Sequence, residues 1–412
     1  MKIFFNLIII SALMISCSSD RQPTDDLAYI DVRNNYPEKE IFLTDITNVS
    51  YLYLNSDNDD YLYSGGIKRI TDNTVVVVDN SSGSILLFSK DGAPKSRFNH
   101  RGQGPGEYIR VSDNNVFYDE TADEVFVFDS RKIQVYSSLG AYKRTFTLPE
   151  GTRPQQIIDL DDHSFFYFDI SVLNKRYYPA QYDKEESHGE DYFLPFYRIS
   201  KTDGEMLDYI ELPGTGLGLG ANYKGNVDGA IYDGSFFIYA NFYCAVKCHE
   251  GVLLVNAQTD TVFLYREDKS LTPYLYKTPS VNTQNPVEFV SDCIDRGQYQ
   301  FIIVNIMREG VFPLYYPVKS YMRNKQTGET VRPKLLLPDY QGKEFIIYPF
   351  SNDGNSISGD GNIYYDGYCF ELDLYELKQA YRENKLSGKL KELVAKLDED
   401  TDNNVFVLVN FK

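Results

Sequence analysis

The side chains of this chain with the most chemistry in them are few and scattered. Its four histidines, His100, His163, His188 and His249, stand far apart, and none has a Ser or Cys nucleophile motif beside it. The Gly-x-Ser-x-Gly elbow of a serine hydrolase is absent. Cys244 and Cys248, followed by His249, have the composition of a metal site. The run around them, Phe236 to Val255, reads as strand, which would set the two thiols about 13 Å apart. That is too far for one ion or one disulfide. No second Cys/His pair supplies the missing ligands, so no metal and no cofactor is expected. Cys244, Cys248, Cys293 and Cys369 are read as small buried apolar residues, with disulfides between separate strands left open. Asp161, Asp162 and the acids between Asp183 and Asp191 read as solvated loop charge. No catalytic residue can be named, and an enzyme is the less favoured reading.

One segment stands out by composition: Arg101-Gly102-Gln103-Gly104-Pro105-Gly106-Glu107-Tyr108. Its glycines allow backbone shapes closed to other residues, and Pro105 fixes φ between two of them. Gly102, Gly104, Pro105, Gly106 and Glu107 are therefore expected to build a stiff crossover. His100, Arg101, Gln103 and Tyr108 are the ligand-binding candidates, because binding residues concentrate on loops held by a rigid scaffold. The glycine spacing fits no dinucleotide or phosphate loop, and no helix follows it. A second glycine-rich stretch, Pro213 to Gly220, lacks both a Lys and a following helix and reads as a connecting loop.

A different chemistry marks the amino terminus. Lys2 precedes an apolar run from Ile3 to Met14, broken only by Asn6 and Ser11, and Met14-Ile15-Ser16-Cys17 closes it. A spanning helix needs about 20 apolar residues, and this run is shorter. Residues 1–16 are read as a lipoprotein signal peptide, with Cys17 Sγ as the lipidation site and residues 17–26 as a polar tether. An ordinary cleaved signal is the alternative. Removing residues 1–16 takes away one Lys, so the formal charge of −18 becomes −19. With 59 acidic against 41 basic residues and no basic block, binding to nucleic acid or to anionic lipid surfaces is not expected.

The elements that must position these residues are strands. Val75-Val76-Val77-Val78-Asp79, then Ile85 to Phe88, then Lys90-Asp91-Gly92, returns 50 positions later as Val125-Phe126-Val127-Phe128-Asp129, Ile133 to Tyr136 and Leu139-Gly140. A third copy starts at Phe165 to Asp169, is interrupted from Leu173 to Pro195, and resumes at Phe196 to Ile199. Phe236 to Tyr239 and Phe301 to Val304 read as the same strand in fourth and fifth units. A period of roughly 40 to 50 residues with about four strands per unit is the mark of a β-propeller, whose blades cannot bury their faces alone. A large β-sandwich would show short strands without such a repeated phrase. Asp79, Asp129 and Asp169 end equivalent strands and are read as accepting hydrogen bonds in the turns they precede; the alternative is that they line a channel. Near the carboxyl terminus, Asp373 and Glu376 open a short helix to about Asn384. Leu390, Leu393, Val394 and Leu397 lie on one face of a second helix. Val405 to Phe411 forms a last strand, expected to share a blade with Val49 to Leu54 and so to close the ring.

With its lipoprotein start, repeated strand-Asp phrase, GxGPGEY segment, late helices and terminal apolar strand, the chain resembles the lipid-anchored six-bladed β-propellers of Bacteroidota, NHL-like propellers among them. The resemblance spans Val49 to Lys412. It implies an all-β, six-bladed β-propeller over residues 27–412, with short helices in the closing blade. It further implies a lipid-anchored envelope protein of the outer membrane that binds a glycan or peptide connected with nutrient uptake, or docks on an outer-membrane partner. The 35 tyrosines suit sugar stacking, although the chain has no tryptophan. The alternatives are an axis-metal hydrolase or lyase of the six-bladed type, and a ligand-free scaffold.

Overall fold

In the computed structural model, which describes residues 27–56, 59–111, 115–152, 154–169, 196–210, 212, 219–227, 230–238, 245–257, 259–307, 315–347 and 367–412, the chain begins with β1 (Ala28–Asp31), β2 (Glu38–Phe42), a one-turn helix α1 (Leu43–Ile46) and β3 (Thr47–Tyr53). Blade 1 is β4 (Gly65–Ile70), β5 (Thr74–Asp79), β6 (Ser84–Ser89) and β7 (Pro94–Phe98). Blade 2 is β8 (Val116–Asp119), β9 (Glu124–Asp129), β10 (Lys132–Tyr136) and β11 (Tyr142–Thr147). Blade 3 is β12 (Pro154–Asp161), β13 (Ser164–Asp169), β14 (Phe196–Ser200) and β15 (Met206–Ile210). A separate hairpin follows, β16 (Leu219–Val227) with β17 (Ala230–Ile238). Blade 4 is β18 (Ala245–Cys248), β19 (Gly251–Leu254), β20 (Thr261–Tyr265) and β21 (Leu271–Thr278). Blade 5 is β22 (Glu288–Arg296), β23 (Tyr299–Met307), β24 (Tyr315–Asn324) and β25 (Thr330–Leu337), to which β26 (Tyr340–Phe345) also pairs. The molecule is thus an all-β six-bladed propeller.

The valine phrase explains the blades. β-branched residues favour extended backbone, and Val75 to Val78 are wholly buried because β5 has a strand on each side and a neighbouring blade against each face. Val75 and Val77 join the cluster shared with the closing blade, while Val76 and Val78 join the one shared with blade 2. One strand therefore glues two blade interfaces at once.

The closing blade is β27 (Gly367–Leu372), β28 (Val405–Phe411) and β3, and it joins the two ends of the chain: Val405 pairs with Tyr53 and Phe411 with Thr47. This is the closure expected from Val49 to Leu54, with the strand ending one residue earlier. Between β27 and β28 run α2 (Leu374–Arg382) and α3 (Gly388–Val394). Asp373 caps α2 by accepting from Glu376 N at 2.9 Å, while the Glu376 carboxylate turns to Lys343. Leu374, Leu377, Leu390 and Val394 pack into the same apolar cluster as Val405 and Val407.

Residues 28–42 strap the outside of the ring. β1 lies parallel to β21, Ala28 beside Leu275, and β2 lies parallel to β25, Glu38 beside Arg332. One expectation is corrected: Phe236 to Ile238 belong to the β16–β17 hairpin and not to the fourth blade, whose strands begin at Ala245. The phrase failed there because its return, at Thr259-Asp260, belongs to a blade whose second strand is the short β19. Cys17, the tether, Leu173 to Pro195, His188, Asp183 to Asp191, Cys244 and most of Pro213 to Gly220 lie outside the described residues.

Candidate functional site

The RGQGPGEY segment clasps blades 1 and 2. Tyr108 is wholly buried; its hydroxyl donates to Gly83 O at 2.8 Å, in the β5–β6 turn, and accepts from His100 N at 3.1 Å. Burial pushes the Tyr108 phenol up. Tyr136, from β10, donates to Gly106 O at 2.7 Å and stacks on the His100 ring at 4.8 Å and 7°. His100 Nε2 meets Gly140 O at 2.7 Å. Inside the loop, Gly104 N donates to Glu107 Oε2 at 2.6 Å, and Gln134 Nε2 donates to Glu107 O at 3.0 Å. A Cβ on Gly102 would fall on Glu107 Oε2, the end of an exposed side chain, and would push that carboxylate off Gly104 N. The sequence grouped His100, Arg101, Gln103 and Tyr108 as ligand candidates, and the structure splits them. Tyr108 and His100 pack within the clasp. Arg101 and Gln103 are exposed on it, near Ile109 and Tyr142, two apolar side chains more than half exposed.

A second constellation escaped the sequence reading. The first strands of neighbouring blades meet, β4 with β8, β12 with β18 and β18 with β22, as the innermost strands of a propeller do. Their carboxyl-terminal ends carry charge: Lys68 and Arg69 from blade 1, Asp119 from blade 2, Asp159 and Asp161 from blade 3, Lys247 from blade 4, Asp295 and Arg296 from blade 5, Glu371 from blade 6. Arg69 lies over the Phe117 ring of blade 2 at 4.1 Å. Lys201 reaches Asp159 at 2.7 Å and Asp119 at 3.7 Å, joining blades 2 and 3. Lys247 Nζ donates to Asp159 O at 2.6 Å, and Gln156 exchanges hydrogen bonds with the Ala245 backbone, joining blades 3 and 4. The Arg296 guanidinium donates to Lys247 O at 2.9 Å and Gly367 O at 3.4 Å, joining blade 5 to both neighbours. Lys68, Arg69, Lys201 and Arg296 are each below 10% exposed, so this belt is packed. Burial lowers the Lys247 ammonium, an effect opposed by Asp159. Among the described residues no three His, Cys, Asp or Glu side chains converge as metal ligands. The available signal was the placement of charge within strands otherwise apolar, as in Gly-Gly-Ile-Lys-Arg-Ile and Ala-Val-Lys-Cys.

The family model described as "Domain of unknown function (DUF4934)" matches residues 27–410, almost the whole of the propeller. The chain belongs to the DUF4934 family. No curated protein matches it. A solved exported protein from Bacteroides fragilis is 16% identical, with 94% of this chain and 99% of that one covered, at a TM-score of 0.55. That likeness speaks for the fold. A virginiamycin B lyase from Staphylococcus aureus is 13% identical over 69% of this chain and 98% of its own, at a TM-score of 0.30. The Neurospora crassa Pan2 WD40 domain is 8% identical over 84% and 89%, at 0.34. Neither carries an argument at those scores.

The remaining candidates in this DUF4934 chain take structural places. Asp79 accepts from Ser81 N at 3.0 Å and from the Ser81 and Ser82 hydroxyls at 2.7 Å, as a turn aspartate should. Burial raises its carboxyl, but these hydrogen bonds outweigh burial and hold it low. Asp129 instead accepts from Ile109 N at 2.7 Å and so anchors the end of the clasp. Asp169 is almost wholly buried at the end of β13. Cys248, Cys293 and Cys369 are buried and free; burial pushes the Cys248 thiol up to about 11. Cys248 and Cys293 share the large apolar cluster, as small core residues do.

Proposed function

We propose that the protein is a lipid-anchored binding module of the cell envelope, facing the periplasm or the surface, that holds a glycan or peptide connected with nutrient uptake at the RGQGPGEY clasp. The observation that carries this reading is a loop braced from within, by Tyr108, Tyr136 and Glu107, which leaves Arg101 and Gln103 exposed. Arg101 rests against the β5–β6 turn, with one long bond to Ser81 O at 3.5 Å, and a rigid display lowers the entropy lost on binding. Tyr142, whose ring lies against Gly106, adds an exposed aromatic face of the kind that stacks on sugars. Export is supported by the signal-like residues 1–16 and by the exported Bacteroides fragilis neighbour. No described helix is long and apolar enough to cross a membrane, so anchoring would fall to Cys17. The rival reading, an axial-metal hydrolase or lyase, needs oxygen ligands on the axis. The strand ends do carry Asp119, Asp159, Asp161 and Asp295, but these carboxylates already pair with Lys201, Arg198 and Lys325, which speaks against their holding a cation.

A thermal-shift screen of residues 27–412 against glycans, peptides and divalent ions tests the reading. A ligand at a hundred times its Kd stabilises the native state by about 2.7 kcal/mol. The double variant Arg101→Ala, Gln103→Ala should lose that rise while its ligand-free melt stays unchanged; a rise that survives the double variant overturns the site. Cys17→Ala should leave the membrane fraction, and its retention there at the wild-type level would overturn the anchor.

A further inference from the structure

The outer edges of the five four-stranded blades are treated unequally. Blades 4 and 5 have theirs covered by the chain's own β1 and β2, each added in parallel. On blade 1, β7 carries Pro94, Lys95 and Arg97, and on blade 2, β11 carries Lys143 and Arg144. Proline and cations are the usual guards of an edge. Blade 3 has neither. Among the described residues β15 pairs only with β14, and it exposes Met206 by 39%, Leu207 by 45% and Tyr209 by 52%. Its one charged residue, Asp208, faces its own neighbours: it pairs with Lys269 at 3.1 Å, accepts from Tyr265 OH at 3.2 Å and accepts from Tyr209 N at 3.0 Å.

We propose that β15 is a docking edge for an extended segment of a partner protein, which adds as a parallel strand with alternating apolar side chains and a Lys or Arg at its amino-terminal end. The mode is the one the fold already uses. β21 is bulged at Tyr274, between the pairs Phe263–Pro273 and Val262–Leu275, and β1 lies on the four residues after the bulge. β15 is bulged at Leu207, between the pairs Ile199–Met206 and Arg198–Asp208, and Asp208 to Ile210 are equivalent and, among the described residues, carry no added strand. An incoming carbonyl would take the Tyr209 amide from the Asp208 carboxylate. The partner's charge follows from complementarity. Where β2 covers β25, Glu40 meets Lys334 at 3.6 Å and Glu38 meets Arg332 at 4.0 Å, acid on the added strand against base on the blade. At β15 the signs are reversed: Asp203 and Glu205 stand exposed at its amino-terminal end, where a parallel strand would begin. Main-chain hydrogen bonds would supply affinity, and the alternate apolar contacts specificity.

The test uses the full chain in mild detergent and a fluorescent synthetic peptide, Lys-Val-Thr-Val-Thr-Val, read by anisotropy. Saturable binding is expected, at least tenfold weaker with Tyr209→Pro, which removes the amide, and unchanged with Arg97→Pro at the equivalent place on the guarded edge of blade 1. Thermal melts of both variants check the fold. Should Tyr209→Pro not fold, the pair Asp203→Lys, Glu205→Lys replaces it: it should weaken the Lys-headed peptide and strengthen a Glu-headed one. No saturable binding, equal loss in both proline variants, indifference to the charge reversal, or sedimentation showing dimers lost with Tyr209→Pro, which would make a second copy the occupant, each overturns the proposal.

Discussion

Asp292 gives the sharpest handle on the energetics of the ring. It sits on β22 at a bulge, between the pairs Val290–Val304 and Asp292–Ile303. Ser291 Oγ donates to Oδ2 at 2.8 Å, and Oδ1 has no hydrogen-bond partner among the described residues. Burial pushes its carboxyl from 3.8 up to about 7, the Ser291 hydrogen bond opposing. An acid that holds its proton more tightly when folded destabilises the fold once the unfolded chain ionises. The sign is therefore a loss of stability as pH rises from about 4 to about 7, constant above that. A shift of this size corresponds to roughly 4 kcal/mol when the penalty is complete. Asp292→Asn keeps the shape and cannot ionise. Its amide adds a fixed offset at every pH, so the informative quantity is the change in the wild-type-to-variant difference. Urea melts at pH 4 and pH 8 should show Asp292→Asn gaining about 3 to 4 kcal/mol relative to wild type between the two. Difference curves that stay parallel across this range would refute the reasoning, because no other group is altered.

Three further outcomes follow from the same coordinates. Deleting Val405 to Lys412 removes the partner of both β27 and β3, so the melting transition should be lost or fall by tens of degrees; an unchanged melt would exclude closure by β28. Gly102→Ala should destabilise by about 1 kcal/mol by displacing the Glu107 carboxylate from Gly104 N, and with Glu107→Ala in place it should cost less in a double-mutant cycle by urea melts. Lys201→Met should cost about 3 kcal/mol in urea melts by leaving Asp119 and Asp159 together without their shared cation, and an unchanged melt would exclude that role.

How much of this was legible in the sequence depends on whether a property is local. The phrase Val75 to Gly92 states a strand, its burial on both faces and the turn after it. Gly92, at φ +89°, is the positive-φ residue that turn requires. Closure was legible too, since Val405 to Phe411 is too apolar to be an edge and Val49 to Leu54 is the strand at the other end of the chain. The clasp was half legible. Glycine and proline marked its rigidity, but whether Tyr108 points inward or outward depends on Gly83, 25 residues away. The strap of β1 and β2 was not legible, because its partners lie some 250 to 300 residues downstream and a short polar strand carries no periodicity of its own.

The axial belt failed to appear for a deeper reason, which also bears on what it does. Each charge looks ordinary alone; only the cyclic order of blades gives it meaning. Around the ring the signs run cationic at blade 1, acidic at blades 2 and 3, cationic at blade 4, mixed at blade 5, where Asp295 precedes Arg296, and acidic at blade 6. Opposite charges therefore adjoin between blades 1 and 2, blades 3 and 4, and blades 6 and 1. Elsewhere, blades 2 and 3 share Lys201, and the Arg296 guanidinium of blade 5 is bonded to a carbonyl of blade 4 and one of blade 6. Burying these charges gains little net stability over apolar packing. It does penalise any misplaced blade, because a shifted order would bring buried like charges together, an error the apolar faces of six similar sheets could not detect. The repeated valine phrase makes the blades alike, and the belt makes their neighbours unambiguous.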